Sequence, residues 1–114
     1  MMHLPEIELI VCSVDMKSGL IKIFMRGKDN LDFLRLPIDS DPTELARCLF
    51  EKTFNTSSSW LSFEHNCSRY DEKLILTYVV TVPEEVHPMV EGVWTKLTEL
   101  GDKHAELVKK AVRA

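Results

Sequence analysis

The chain has 114 residues, enough for one hydrophobic core and too few for two, so it is expected to form a single domain over 1–114. Hydrophobic residues make up 45% and charged residues 28%, the balance of a soluble globular protein, and no apolar run approaches the roughly 18 residues of a membrane span. The formal net charge of −4 argues against duplex nucleic acid as a partner, because phosphate binding needs a basic face; Lys103, Lys109, Lys110 and Arg113 form only a local patch.

The chain opens MMHLPEIELIVCSVD, with acids ahead of its apolar run and no basic leader, which is not the pattern of a signal peptide. Within it EIELIVCSV (6–14) is rich in β-branched residues, and LIKIFM (20–25) is a second short apolar run. Together they predict a β-hairpin in which Gly19 supplies the turn. Residues 26–37, RGKDNLDFLRLP, are punctuated by glycine, aspartate and asparagine and read as a loop. Asp41-Pro42-Thr43-Glu44 then marks a helix start. Asp41 can accept from first-turn amides, Pro42 loses nothing at the first helical position, and Glu44 completes a capping-box-like pair. Leu45, Cys48 and Leu49 recur at helical spacing as its apolar side, and Asn55 suits a left-handed end.

Residues 60–70 and 74–82 predict a second hairpin, and LILTYVVTV should be buried on both faces. Pro83 stops it, GVWTKL (92–97) predicts a further strand, and DKHAELVKKAVR (102–113) predicts a helix burying Ala105, Val108, Ala111 and Val112. The expected order is β-β-α-β-β-β-α: an α/β (α+β) protein with a mixed sheet flanked by helices.

In that order the chain resembles the Nudix superfamily. LIKIFMR matches a hairpin ending in a basic residue, Leu36-Pro37 matches the first half of a Leu-Pro-Gly-Gly turn, and EGVWTKLTEL (91–100) matches an acid and tryptophan ahead of a closing helix. RCLFEKTF (47–54) aligns with a signature helix whose family pattern is Arg-Glu-apolar-any-Glu-Glu-any-Gly. The resemblance implies a Nudix-like α/β/α sandwich. It also implies Mg²⁺- or Mn²⁺-assisted hydrolysis of a nucleoside diphosphate derivative, but there the pattern breaks. Arg47, Leu49, Glu51 and Thr53 agree; Cys48 and Lys52 replace glutamates, Phe54 replaces the closing glycine, and Ile38-Asp39 replaces the paired glycines. Hard cations need several oxygen ligands, and positions 48, 51 and 52 offer one carboxylate, a soft thiol and a positive charge.

The expected function is therefore a non-catalytic Nudix-like binding or protein-interaction module without a cofactor. Its partner is a protein, a second copy included, or a nucleotide or other phosphate-bearing ligand met by Arg26, Lys28, Arg47, Glu51 and Lys52. The alternative is a divergent hydrolase in which Glu51 holds Mg²⁺ with carboxylates recruited from Asp39, Asp41, Glu44 and Glu91. Against both stands a plain charge ladder of Glu44, Arg47 and Glu51, worth a few tenths of a kcal/mol per pair. Whether the region beside Arg47 and Lys52 is open, or filled by Phe33 or Phe54, separates these readings.

Other constellations are weaker. Cys12, Cys48 and Cys67 are an odd number without CxxC spacing, as expected of reduced thiols in a cytoplasmic protein. His65 and Cys67 could share a strand face, but two ligands do not make a zinc site. A nucleophilic pair of Cys48 or Cys67 with His65 or His87 lacks any orienting third group. Trp60, Trp94, Phe63, Tyr70 and Tyr78 read mainly as core and rim aromatics.

Overall fold

The computed structural model describes residues 5–15, 17–29, 31–58, 61, 63–70, 73–83 and 85–113, with the backbone alone described at 64–70, 73, 102, 103, 111 and 113. The elements are β1 (Glu6–Val14), β2 (Ile21–Arg26), β3 (Leu34–Pro37), α1 (Pro42–Phe54), β4 (Phe63–Tyr70), β5 (Lys73–Val82), β6 (Gly92–Lys96), a 3₁₀ turn (Leu97–Glu99) and α2 (Asp102–Arg113). They form a six-stranded sheet in the order β4-β5-β1-β2-β6, with β3 also paired to β1. β1 runs parallel to β5 from Glu6 opposite Ile75 to Ser13 opposite Val82, and its other edge is shared antiparallel by β3 at its start and β2 at its end. The sheet is mixed and carries a helix on each face.

Alternation along β1 divides the core. Ile7, Leu9 and Val11 join Phe24, Leu34 and Val80 beneath Ala46, Leu49, Phe50 and Phe54 of α1. Ile10 and Cys12 join Ile23, Met25 and Val79 beneath Val108 of α2. A strand covered on both sides has no polar face to alternate with, which is why EIELIVCSV and LILTYVVTV read as nearly continuous apolar runs. Both expected hairpins form. Gly19 takes the left-handed conformation at φ 73° in the turn between β1 and β2, closed by Asp15 N–H donating to Leu20 O at 2.9 Å.

The element order departs from expectation at one point. Residues 34–37, read as loop, form β3, so the order is β-β-β-α-β-β-β-α. Four residues ending in proline are too short for a periodicity signal, but Leu34 and Leu36 face the α1 core while Arg35 turns to the other side. The strand at 92–97 is also one residue shorter, because Leu97 begins the 3₁₀ turn.

α1 begins and ends as the sequence suggests. The Asp41 carboxylate accepts from Thr43 N–H at 3.2 Å, Pro42 follows, and Asn55 closes the helix at φ 51°, ψ 44°. Glu44 is exposed and makes no reciprocal capping bond among the described residues. The buried stripe is Ala46, Leu49, Phe50, Thr53 and Phe54, whereas Cys48 is exposed. The expectation that Cys48 belongs to the apolar side is thus corrected. Phe50 and Phe54 pull the stripe one position around the helix, and residue 48 faces away from the sheet.

Candidate functional site

The exposed side of α1 carries Cys48, Glu51, Lys52 and Asn55 at i, i+3, i+4 and i+7, so one face presents them together. With Met89 they line a shallow groove of about 450 Å³. Met89 is brought there by its backbone N–H, which donates to Thr53 O at 2.6 Å and satisfies a carbonyl at the end of α1.

The two charged residues among the four that agree with the signature pattern are engaged elsewhere. Glu51 Oε2 accepts from both the N–H and the hydroxyl of Ser58, each at 2.9 Å. Arg47 Nη1 donates to Ser58 O at 2.6 Å, and Nη2 donates to Leu61 O at 3.4 Å. The guanidinium also lies 4.7 Å from the Phe63 ring centroid. One turn apart on α1, an acid and a base therefore grip the polar groups of a single buried residue and the carbonyl of another. The hydrogen bonds from Ser58, aided by the Arg47 charge, hold the Glu51 carboxyl below its ordinary range. Thr53 is spent in the same way, its hydroxyl donating to Leu49 O at 2.7 Å inside the helix.

Phe54 fills space rather than lining a site. It packs edge-on to Phe24 at 5.2 Å and lies 5.9 Å from Trp94 and 5.1 Å from Phe50. Gly92 allows this cluster, since a Cβ there would meet Phe24 Cζ at 2.4 Å and Met25 O at 2.5 Å. Phe33, the other expected plug, is nowhere near the groove; it stacks on His104 at 4.4 Å on the α2 side.

The remaining candidates do not converge. Arg26 ends β2 with an exposed side chain and exchanges backbone hydrogen bonds with Asp32 at 2.8 and 2.9 Å. Lys28 is exposed in the loop beyond, and neither side chain lines the groove. Lys52 is exposed in the last turn, where a cation offsets the negative end of the helix dipole. Asp39 accepts from Ser40, Asp41 caps the helix, and Glu44 and Glu91 are exposed. Asp41 and Glu51 are separated by about 15 Å of helix at 1.5 Å per residue. Among the described residues no three His, Cys, Asp or Glu side chains are placed to hold one metal ion. Mg²⁺ demands near-octahedral oxygen coordination. The groove supplies one carboxylate already bonded to Ser58, one amide, a thiol and an ammonium, and that donor set does not fit it. The side chains of His65 and Cys67 lie outside the described residues, and His87 is exposed in a loop.

The sequence reading missed a second polar cluster, on the α2 side. Glu8 is fully buried at the centre of the sheet. Its Oε2 accepts from Arg35 Nη2 at 2.9 Å and Nε at 3.2 Å. Its Oε1 accepts from Thr77 Oγ1 at 3.2 Å and lies 3.1 Å from His104 Nε2. Burial pushes the Glu8 carboxyl up, but the hydrogen bonds and charges of His104 and Arg35 outweigh it and leave the group below its ordinary value. An acid flanked by Ile7 and Leu9 inside a nearly continuous apolar strand was the available signal, because such a charge must be paired. The cluster ties β1, β3, β5 and α2 together.

No family model matches the chain, and no curated protein matches it. Solved structures do match. A C. elegans Ap4A hydrolase in a binary complex superimposes with a TM-score of 0.68 at 11% identity, covering 95% of this chain and 96% of that one. The NUDIX domain of Shewanella oneidensis NrtR, complexed with ADP ribose, gives 0.61 at 12% identity over 99% of this chain and 88% of that one. The C-terminal domain of mouse MUTYH, in complex with human PCNA, gives 0.62 at 9% identity over 95% and 88%. The fold is Nudix-like. At these identities the likeness extends to architecture alone.

Proposed function

We propose that the protein is a Nudix-like binding module whose signature helix anchors a loop instead of a metal ion, and that its partner is another protein surface. The observation that carries this reading is the double grip of Arg47 and Glu51 on Ser58, which consumes the best-matched charged residues of the signature. Exposed apolar side chains on β6 and the segment entering it support a protein partner: Met89 is 62% exposed, Val93 50% and Val90 39%. One solved neighbour of this fold is itself held in a complex with a protein.

A phosphate-bearing ligand is the second reading, favoured by the exposed Lys52 ammonium and by the ADP ribose in the NrtR domain. The groove, however, lies along the last turn of α1, where the helix dipole repels anions. Divergent Mg²⁺-dependent hydrolysis ranks below both, since it needs carboxylates that α1 and its approaches leave apart.

Backbone amide relaxation and shifts in the presence of Mn²⁺ and ADP test the proposal. The expected result is no selective broadening or shift at residues 48–55. Saturable Mn²⁺ broadening centred on Glu51 would overturn it, and ADP shifts without Mn²⁺ broadening would transfer the case to the second reading.

A further inference from the structure

Both faces of the sheet carry a helix, but β6 ends the row of described strands and has β2 on one side only. In an antiparallel pair, successive residues alternate in whether their N–H and C=O point at the partner strand. Arg26 exchanges backbone bonds with Asp32, away from β6, whereas Gly27 N–H donates to Glu91 O at 2.9 Å. The odd positions of β2 therefore face β6. Through the register Met25 opposite Val93 and Ile23 opposite Thr95, it is Val93 and Thr95 that bond inward. The N–H and C=O groups of Gly92, Trp94 and Lys96 point out of the sheet edge, and no described element takes them up. Val93 on the strand and Met89 and Val90 just ahead of it are exposed, so this edge has an apolar border.

An open edge accepts another strand, and the sequence of β6 selects which one. Laid antiparallel on itself about Trp94, GVWTK sets Trp94 opposite Trp94, Val93 opposite Thr95, and Lys96 opposite Gly92 of the second copy. No like charges face each other in that register. Gly92 must stay a glycine, since a Cβ there would meet Phe24 Cζ at 2.4 Å, so no side chain on the opposing strand competes with Lys96 for its place. The remaining pairs are aromatic with aromatic and β-branched with β-branched, combinations that stabilise sheets. The strand is thus its own complement, as a two-fold interface requires. We infer that two copies of the chain join β6 to β6 in this register, with Trp94 exchanging backbone bonds with Trp94, and Gly92 with Lys96, to make one continuous sheet. A second copy is then the partner in the protein-binding reading above, on which this step rests.

Sedimentation equilibrium and backbone amide exchange of the whole chain, both followed over a rising protein concentration, test it. The expected result is a monomer–dimer equilibrium. In step with it the amides of Gly92, Trp94 and Lys96 should gain protection, while those of Val93 and Thr95, already bonded to β2, should not change. Lys96→Pro is a selective probe, because φ at that position is −63°, which proline adopts, and the N–H it removes points outward. It should keep the fold and weaken dimerisation by roughly tenfold or more, the worth of the inter-chain bonds it removes. Lys110→Met, at an exposed position on α2, should leave dimerisation unchanged. A chain that stays monomeric at submillimolar concentration, dimerises without protecting Trp94, or dimerises as well in a folded Lys96→Pro would overturn the inference. Those outcomes leave the reading of α1 standing, whereas Mn²⁺ broadening centred on Glu51 would overturn that reading, so the two failures are distinguishable.

Discussion

At the position where the family's signature helix closes on glycine, Phe54 sets its ring against Phe24, Phe50 and Trp94 and is buried on the sheet side of α1. Truncation there removes a large apolar side chain from a packed cluster that cannot collapse around Gly92. Phe54→Ala should cost about 3–5 kcal/mol in urea unfolding, the range for large-to-small core changes. Gly92→Ala should destabilise too, by about 1–3 kcal/mol through overpacking against Phe24 and the Met25 carbonyl. Glu8 makes a different prediction. Its folded carboxyl titrates below the ordinary 4.5, so its stabilisation is fully present above that value and is lost as pH falls through the lower, folded one. Glu8→Gln should cost about 2–3 kcal/mol near neutral pH by leaving Arg35 and His104 without their buried anion. It should also flatten the acid limb of stability against pH, measured by urea midpoints below pH 5; an unchanged limb would deny Glu8 this role.

Between residues and molecule, α1 is the element whose role changes most between sequence and structure. Its limits were legible because caps are local: Asp41, Pro42 and Asn55 sit next to the backbone groups they satisfy. Its work was not, because the partners of Arg47 and Glu51 are Ser58 and Leu61, in the tract between α1 and β4, and no periodic signal points from them back to α1. The ladder of Glu44, Arg47 and Glu51 expected from spacing gives way to a grip on that tract. Arg47→Met should therefore speed amide exchange at Ser58 and Leu61 by roughly tenfold or more, about the effect of losing a charged hydrogen bond. Exchange within β1 and β5 should be unchanged, and uniform acceleration would instead mean global destabilisation. β3 escaped notice for a related reason: Leu34 and Leu36 face the core, but two positions do not make a period, and only pairing with β1 makes them a strand.

At the scale of the whole molecule, a mixed sheet between two helices is what two doubly buried strands require, and their long apolar runs made that architecture legible. The polar strut from Glu8 to α2 was not legible, since its members are separated by up to 96 positions in the chain. Around this frame the fold is Nudix-like, and Arg47 and Glu51 of α1 hold the polar groups of Ser58. The most direct measurement of that claim is Mg²⁺-dependent release of phosphate or monophosphate from a panel of nucleoside diphosphate derivatives, comparing the natural chain with Glu51→Gln. The expected result is background turnover from both. Turnover by the natural chain that disappears in Glu51→Gln would contradict it.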